Sequence, residues 1–336
     1  MSPKRSDRSP NLPLAALALK GSLRRVRTEH ALAADGLAPE PVHDLRVVLR
    51  RCRSLAEVIF ELDPHPSWRH LRKACKNLLG GLADLRDTQV VEQWARRLGL
   101  DKGPAGAAFM TSLDVERRHA RRAARRTLTD FSGRRWKRWN HRLPERAGRM
   151  LISEAHFAKL ALRPLSEARG RERYWRKSRS RRAAHRLRVA LKRFRYLVES
   201  VLPEQKAAWS FDLRRLQGLL GDIHDLDVLR QRVLRRSRVQ AVRGAVRNKW
   251  LGKIERARSE AVEKYWQAVV LKPASLRPAA RQRTLWDRWE KKLTQLAGIT
   301  SPISEEPSGS AAKQAPPAVR KNSPSPGRPR RLFGAT

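Results

Sequence analysis

A helical segment occurs twice in this chain, and its repetition constrains the fold more than any other feature. Residues 42–60 read VHDLRVVLRRCRSLAEVIF, and residues 184–202 read AHRLRVALKRFRYLVESVL. At a constant offset, histidine, leucine, valine and basic residues recur at matching positions. Chance rarely produces such a run, so the repeat indicates an internally duplicated fold.

On an α-helix of about 3.6 residues per turn, each copy separates into an apolar face and a cationic face. The cationic residues form a first stripe (His43, Arg46, Arg50 and Arg53) and a second stripe (His185, Arg188, Lys192 and Arg195). An ordinary solvated face would mix glutamate with lysine, whereas Glu57 and Glu199 lie only at the far ends of these stripes. The pattern therefore favours a binding face over a merely solvated one.

A second element is also repeated. Residues 78–90, LLGGLADLRDTQV, correspond to residues 216–228, LQGLLGDIHDLDV, so Arg86 is equivalent to His224 and Asp87 to Asp225. The repeating unit is therefore a helical hairpin. Because no alternating strand pattern persists anywhere, we predict an all-α fold.

Length and charge limit the possible partners. The 336 residues, of which 40% are hydrophobic, are enough for about two folding units with a buried core. Lys and Arg total 75 against 32 Asp and Glu, for a net charge of +43. Such a charge calls for a polyanion, either nucleic acid, inorganic polyphosphate, an anionic membrane or an acidic protein.

The cysteines and the apolar segments exclude several classes of protein and site. Cys52 and Cys75 make neither a disulfide framework nor a cysteine metal site, and no apolar run reaches membrane-spanning length. The apolar stretch 12–19 is short and lacks a cleavage site, so it predicts an amphipathic helix in a cytoplasmic protein. Residues 1–10 and the basic, Pro- and Ser-rich residues 299–336 are predicted to be disordered. The folded region is then 11–298, with halves of about 11–140 and 150–298.

The paired H-x-L-R-V-x-L-[RK]-R-x-R-x-L segments, each followed by the second motif, resemble the CHAD (conserved histidine α-helical domain) family over about residues 11–270. The resemblance implies two pseudo-symmetric four-helix bundles around a basic central channel that binds inorganic polyphosphate, with no catalysis, cofactor or metal. It also implies association with polyphosphate granules. It places binding residues on both stripes and, in the second hairpins, at Lys76, Arg86, Arg214 and His224. Because Arg86 replaces a histidine, the two half-sites need not bind equally.

The chemistry of the residues agrees with that implication. Polyphosphate has closely spaced charges and no bases, so its binder needs rows of cations and no stacking platform. Arginine donates two parallel hydrogen bonds to phosphate oxygens and stays charged at any relevant pH. Histidine adds a donor whose pKa should rise when phosphate binds.

An enzyme is one alternative, because His43-Asp44 and His224-Asp225 resemble the dyad of metal-dependent HD phosphohydrolases. The repeat does not maintain this dyad, since Arg86 stands at the position equivalent to His224 and Arg186 at the position equivalent to Asp44. The many surrounding arginines would also repel a metal ion.

A sequence-independent RNA- or DNA-binding protein is the other alternative, supported by the charge and the 10 Trp. The segment VERRHARRAARR (residues 115–126) and the C-terminal tail are where nucleic acid would bind. Trp94, Trp209 and Trp266, however, lie in amphipathic helices, which favours core positions over base-stacking ones.

Overall fold

The regular secondary structure of the described residues is helical except for one isolated bridge between Val270 and Thr284. The computed structural model describes residues 14–150, 152–238, 244–270 and 284–299. The all-α prediction is confirmed there, and none of the described helices is long and apolar enough to cross a membrane. The segments predicted to be disordered lie outside the described residues, apart from Ile299.

Eleven helices occur in the described ranges. They are α1 (Leu14–Ala34), α2 (Pro39–Leu62), α3 (Pro66–Gly81), α4 (Ala83–Arg97), α5 (Gly103–Thr129), α6 (Gly133–Gly148), α7 (Glu154–Ser178), α8 (Arg181–Val201), α9 (Pro203–Arg238), α10 (Gly244–Val269) and α11 (Leu285–Leu296).

The two copies of the repeated segment form α2 and α8. Pro39 suits the first turn of α2, where a missing N–H has no consequence, and the Ser180 side chain caps α8 by accepting from the Ala183 N–H. Both helices bury the predicted apolar face, including Leu45 and Leu49 in α2 and Leu187 and Leu191 in α8. The amphipathic prediction is therefore correct for both copies.

Helix packing repeats in the same order in the two halves, as a duplication requires. In the first half α1 packs on α2 and α6, and α4 packs on α5. In the second half α7 packs on α8 and α11, and α9 packs on α10. The two bundles meet where α2 contacts α8 and where α4 contacts α9. The repeated helices themselves thus form the boundary between the halves.

Two apolar cores hold this arrangement together. The larger core joins α1–α3, α5–α8 and α11 with the first part of α9 and the last part of α10, and Trp68, Trp175 and Phe194 are buried in it. The smaller core joins α4, α5, α9 and α10 through residues such as Phe109 and Ile254. Each core contains helices from both halves, so the halves depend on each other for burial.

One difference between the halves lies in the second hairpin. Leu82 separates α3 from α4, whereas the equivalent stretch of α9 is continuous. A Cβ at Gly81 would overlap the side chain of Thr127 on α5, so glycine is required for this close approach. The repeat places Leu219 at the position equivalent to Gly81.

Candidate functional site

A cleft of about 510 Å³ lies between the α2–α8 pair and the α4–α9 pair, where the two halves meet. It is lined by His43, Arg46, Val47, Arg50, Ala83, Arg86, Asp87, Val90, Arg188, Lys192, Arg195, Tyr196, Arg214, Gln217, Gly218, Gly221, Asp222, His224 and Asp225. Both stripes face this space because the apolar faces of α2 and α8 are turned into the core. The duplication therefore brings two cationic faces together around one cavity.

The first stripe is held firmly at its centre. Arg46 is only 7% exposed, and its Nη1 donates to the carbonyl oxygen of Leu79 at 2.8 Å. Burial, with repulsion from Arg50, lowers the pKa of Arg46 to about 10, so the guanidinium stays charged at neutral pH. Burial and the charge of Arg86 lower the pKa of His43 as well.

The cations at the centre of the second stripe have fewer described hydrogen-bond partners than Arg46 has in the first. The Nε of Arg188 is buried and has no hydrogen-bond partner among the described residues, and burial lowers its pKa. Burial, together with repulsion from Arg188 and Arg50, lowers the pKa of Lys192 to about 6. Arg195 differs, because its Nε donates to Glu199 at 2.7 Å and its Nη1 donates to Gln217 at 3.3 Å.

Two histidines meet at one edge of the cleft. The Nδ1 atoms of His185 and His224 are 3.3 Å apart, and their ring centroids are 4.9 Å apart. Burial, together with Arg188 and His185, lowers the pKa of His224 to about 3. Burial lowers the pKa of His185 too, so both rings are neutral at physiological pH without a ligand. A bound anion would favour their protonated forms.

Cations outnumber carboxylates in the lining. Seven Lys and Arg side chains share the cleft with three carboxylates, those of Asp87, Asp222 and Asp225. Burial also raises the pKa of Asp225 to about 6, although Arg188 and Arg86 oppose the rise. Like charges placed this close repel one another, and a bound anion would offset that repulsion.

Most of the predicted binding residues converge here. Nine of the twelve line the cleft, namely His43, Arg46, Arg50, Arg86, Arg188, Lys192, Arg195, Arg214 and His224. His185 touches the cleft through His224, and Arg53 lines an adjoining cavity of about 310 Å³. Lys76 is exposed on α3 and is not among the residues that line either cavity.

Some lining residues had no signal in the repeat. Tyr196 corresponds to Ser54 and Gln217 to Leu79, so the duplication does not mark either position. Gly218 and Gly221 line the α9 side, where the absence of a side chain leaves space. Asp87 and Asp225 do recur in the repeat, and charge interactions link both to the cleft arginines.

The acidic residues near His224 bear on the alternative of a metal-dependent hydrolase. Within the described ranges, no group of three or more His, Cys, Asp or Glu side chains is placed to hold a metal ion. Asp227, which is close to His224 in sequence, is buried and accepts hydrogen bonds from Arg181 and, at 2.8 Å, from Arg258. It is therefore engaged as an ion-pair partner.

Comparison with known proteins agrees with the helical arrangement. The chain matches the CHAD domain family over residues 17–234 and 165–322. It is similar to the crystal structure of the CHAD domain from the plant Ricinus communis, with a TM-score of 0.55, 19% identity and coverage of 89% of this chain and 98% of that one. It is also similar to PptA from Streptomyces chartreusis, with a TM-score of 0.54, 17% identity and coverage of 75% and 98% respectively. No curated protein matches the chain.

Proposed function

Because the chain belongs to the CHAD domain family, we propose that it binds inorganic polyphosphate in the central cleft, without catalysis. The observation that carries this proposal is the excess of Lys and Arg side chains over carboxylates that both repeats contribute to one concave site. A polyanion supplies the missing negative charge, and a cavity between helices is a common position for a ligand site.

We propose that the ligand makes its main contacts at the centre of both stripes. Arg46, Arg50, Arg188 and Lys192 line both the cleft and the adjoining cavity, so a chain passing from one to the other meets all four. Their spacing along two helices suits a row of phosphates, and arginine forks can each bind two oxygens of one phosphate.

Around this centre, the other predicted residues are proposed to act at the margins. Arg86 and His224 approach from α4 and α9, Arg214 lies at the exposed rim, and Lys76 would contribute only at longer range. Apart from histidines, Tyr196 is the aromatic residue of the lining, and it is 7% exposed. The cleft thus offers cations rather than a platform for nucleic-acid bases.

In the cell, such binding would serve to bring the protein to polyphosphate granules. A protein whose affinity comes from a cleft rather than from overall charge would stay on polyphosphate at salt concentrations that weaken surface contacts. We propose this targeting as the role of the domain, with polyphosphate as its main partner and no cofactor.

The test is a competition experiment with the full chain at near-physiological salt. Labelled polyphosphate is displaced by unlabelled polyphosphate, single-stranded RNA or duplex DNA of matched total charge. We expect polyphosphate to be the strongest competitor, because the cleft compensates closely spaced charges and has no base-stacking surface. Tighter binding of either nucleic acid would overturn the proposal.

One observation favours nucleic acid as a second candidate ligand, at a different place. The second half of α5 and the outer face of α6 carry exposed cations for which no ion pair is found in the described residues, namely Arg118, Arg122, Arg125, Arg126, Arg134, Arg135, Lys137, Arg138 and Arg142. Nonspecific phosphate contacts need no more than such a surface. If nucleic acid binds there, Arg122→Ala with Arg125→Ala should weaken it and leave polyphosphate affinity nearly unchanged.

A further inference from the structure

Three overlapping cavities follow one another along the inner face of α2. The first includes Glu40, His43 and Asp44, the central cleft includes His43 to Arg50, and the third includes Arg46 to Glu57. Their volumes are about 850, 510 and 310 Å³. Because residues 40–57 rise about 1.5 Å each, the cavities form a groove roughly 25 Å long. We call its two ends the Glu40 end and the Arg53 end.

The two ends differ in charge. Six Lys and Arg side chains line the cavity at the Arg53 end against one carboxylate, that of Glu57. At the Glu40 end, four arginines face three carboxylates, those of Glu40, Asp44 and Glu92. The attraction for a polyanion is therefore strong from the cleft to the Arg53 end and weak beyond His43.

The cations at the Glu40 end are also engaged already. Glu92 accepts from Arg96 at 3.1 Å and from Arg117 at 3.5 Å, while Arg121 donates to the carbonyl oxygen of Gly36 at 2.8 Å. A polyanion at the Glu40 end would have to displace these partners. It would also be repelled by the negative charges of Glu40 and Asp44. Both effects oppose its passage.

At the Arg53 end the cations are more available. The side chain of Arg193 is 53% exposed, and its ion pair with Glu167 is long, at 3.6 Å. Glu57, the one carboxylate of that cavity, is paired with Arg72 at 3.3 Å and so is partly neutralised. The repeat equivalent of Arg193 is Arg51, which is instead tied to Glu199 at 3.0 Å. The two halves thus differ at this point.

We infer that the groove binds polyphosphate by one chain end, with the terminal phosphate beside His43 and Arg86 and the chain leaving past Arg53 and Arg193. The inference rests on the proposed function and adds Arg193 to the binding residues. A terminal phosphate has one more ionisable oxygen than an internal one, so it makes the greatest use of the cations at His43 and Arg86, where the excess of positive charge ends. The carboxylates at the Glu40 end prevent the chain from threading through.

Stoichiometry tests this inference directly. The full chain is titrated onto a long linear polyphosphate of defined length at near-physiological salt, and the mass of the saturated complex is measured by sedimentation. The double variant Arg188→Ala with Lys192→Ala lacks two central cations of the groove. The copies of this variant that still bind the polyphosphate chain are therefore those held outside the groove. After subtracting those, we expect two copies per chain, one at each end, whatever the chain length. A number that grows with chain length would overturn end binding.

Chain ends can also be blocked. Converting both terminal phosphates to phosphoramidates replaces the extra ionisable oxygen of each with a neutral nitrogen, which should weaken binding about tenfold or more, whereas equal affinity for capped and uncapped chains would contradict the inference. If uncapped polyphosphate itself fails to bind, the proposed function fails instead, so the two failures are distinct.

Two variants address the groove ends separately. Glu40→Gln with Asp44→Asn removes the carboxylates, and we expect it to restore binding of the capped chain and to load more copies per chain. Arg53→Ala with Arg193→Ala should weaken the binding of a long polyphosphate chain about tenfold or more. It should weaken the binding of linear tripolyphosphate by less. Equal losses for both ligands, or no effect of the carboxylate changes, would show that the ends are not distinguished.

Discussion

The two stripes have nearly the same sequence pattern but different surroundings. Arg46 of the first stripe is hydrogen-bonded to the backbone of α3, whereas the buried Nε of Arg188 has no described partner. At the next position, Arg50 corresponds to Lys192, whose pKa burial lowers to about 6. A duplicated motif thus sets where the cations stand, while neighbouring helices set how each cation is compensated.

The ends of the stripes differ in the same way. Arg195 is tied to Glu199 and Gln217, while its equivalent Arg53 lines the adjoining cavity without a described hydrogen bond. One residue of each equivalent pair can therefore serve binding while the other serves stability. The comparison shows that pseudo-symmetry in sequence does not divide affinity evenly.

The largest expected effect comes from removing the centre of either stripe. Arg46→Ala with Arg50→Ala, and Arg188→Ala with Lys192→Ala, should each weaken polyphosphate binding by about 3–6 kcal/mol, taking about 1.5–3 for each charged hydrogen bond. The first pair should cost more at pH 7.5, because the lowered pKa of Lys192 leaves that amine mostly neutral before binding. Isothermal titration calorimetry measures the difference.

The matched control is Arg182→Ala with Arg186→Ala, which removes two exposed arginines from α8 outside the cleft. It should cause only a small, salt-sensitive loss. Without ligand, the Arg188 and Lys192 variant should melt no lower than the parent, because like charges no longer face each other. If control and stripe variants lose the same affinity, net charge alone binds the polyanion and the assignment of both stripes is wrong.

The next effect concerns stability rather than binding. Arg195→Ala should lower the free energy of unfolding by about 1–3 kcal/mol, because it leaves Gln217 and the buried side chain of Glu199 with fewer partners. Arg53→Ala should leave it nearly unchanged. Urea unfolding of the two single variants gives the comparison, and equal losses would mean that the stripe ends are equivalent after all.

Lys192 of the second stripe should make the affinity depend on pH. Burial lowers the pKa of Lys192 to about 6 in the free protein, and a bound polyanion raises it, so binding takes up a proton above that pH. Affinity should therefore fall as pH rises from about 6, by up to about tenfold per pH unit for one coupled proton. Lys192→Arg should flatten the profile, since arginine stays charged; an unchanged slope would exclude Lys192 as the source.

The amine of Lys192 should give the stability of the free protein the opposite dependence on pH. The pKa of Lys192 is about 6 when folded and about 10.4 when unfolded, so the unfolded chain binds more protons between these values. The contribution of Lys192 to the free energy of unfolding should then rise with pH across this window. Thermal unfolding of wild type and Lys192→Met at pH 6.5 and 8.5 measures this contribution. We expect the stability of the variant to change less between the two pH values.

The smallest expected effect tests the difference between the hairpins. Gly81→Ala should destabilise the fold, because the added Cβ meets Thr127 on α5. Gly80→Ala meets nothing within 4 Å and should stabilise α3 by roughly 0.5–1 kcal/mol. If both changes stabilise equally, the close approach of α5 to Gly81 is not what distinguishes the first half.

The sequence alone determined the helices, their buried faces and the positions of the stripes, because these follow from local periodicity and from duplication. Both stripes were found without any structure, from their spacing along one helix and from their recurrence in the other half. The resemblance to the CHAD family added Arg86, Arg214 and His224, which also line the cleft. Lys76 shows the limit, since a matching basic position on α3 does not reach the cleft.

Only the tertiary structure decided which helices enclose the cleft and how each group is compensated. Tyr196 and Gln217 enter the lining because α8 and α9 pack together there, and the equivalent positions of the first half hold different residue types, Ser54 and Leu79. The unequal groove ends, the availability of Arg193 and the lowered pKa of Lys192 depend on charges brought together from distant parts of the chain. Burial and long-range electrostatics arise from packing between helices, so no local pattern encodes them.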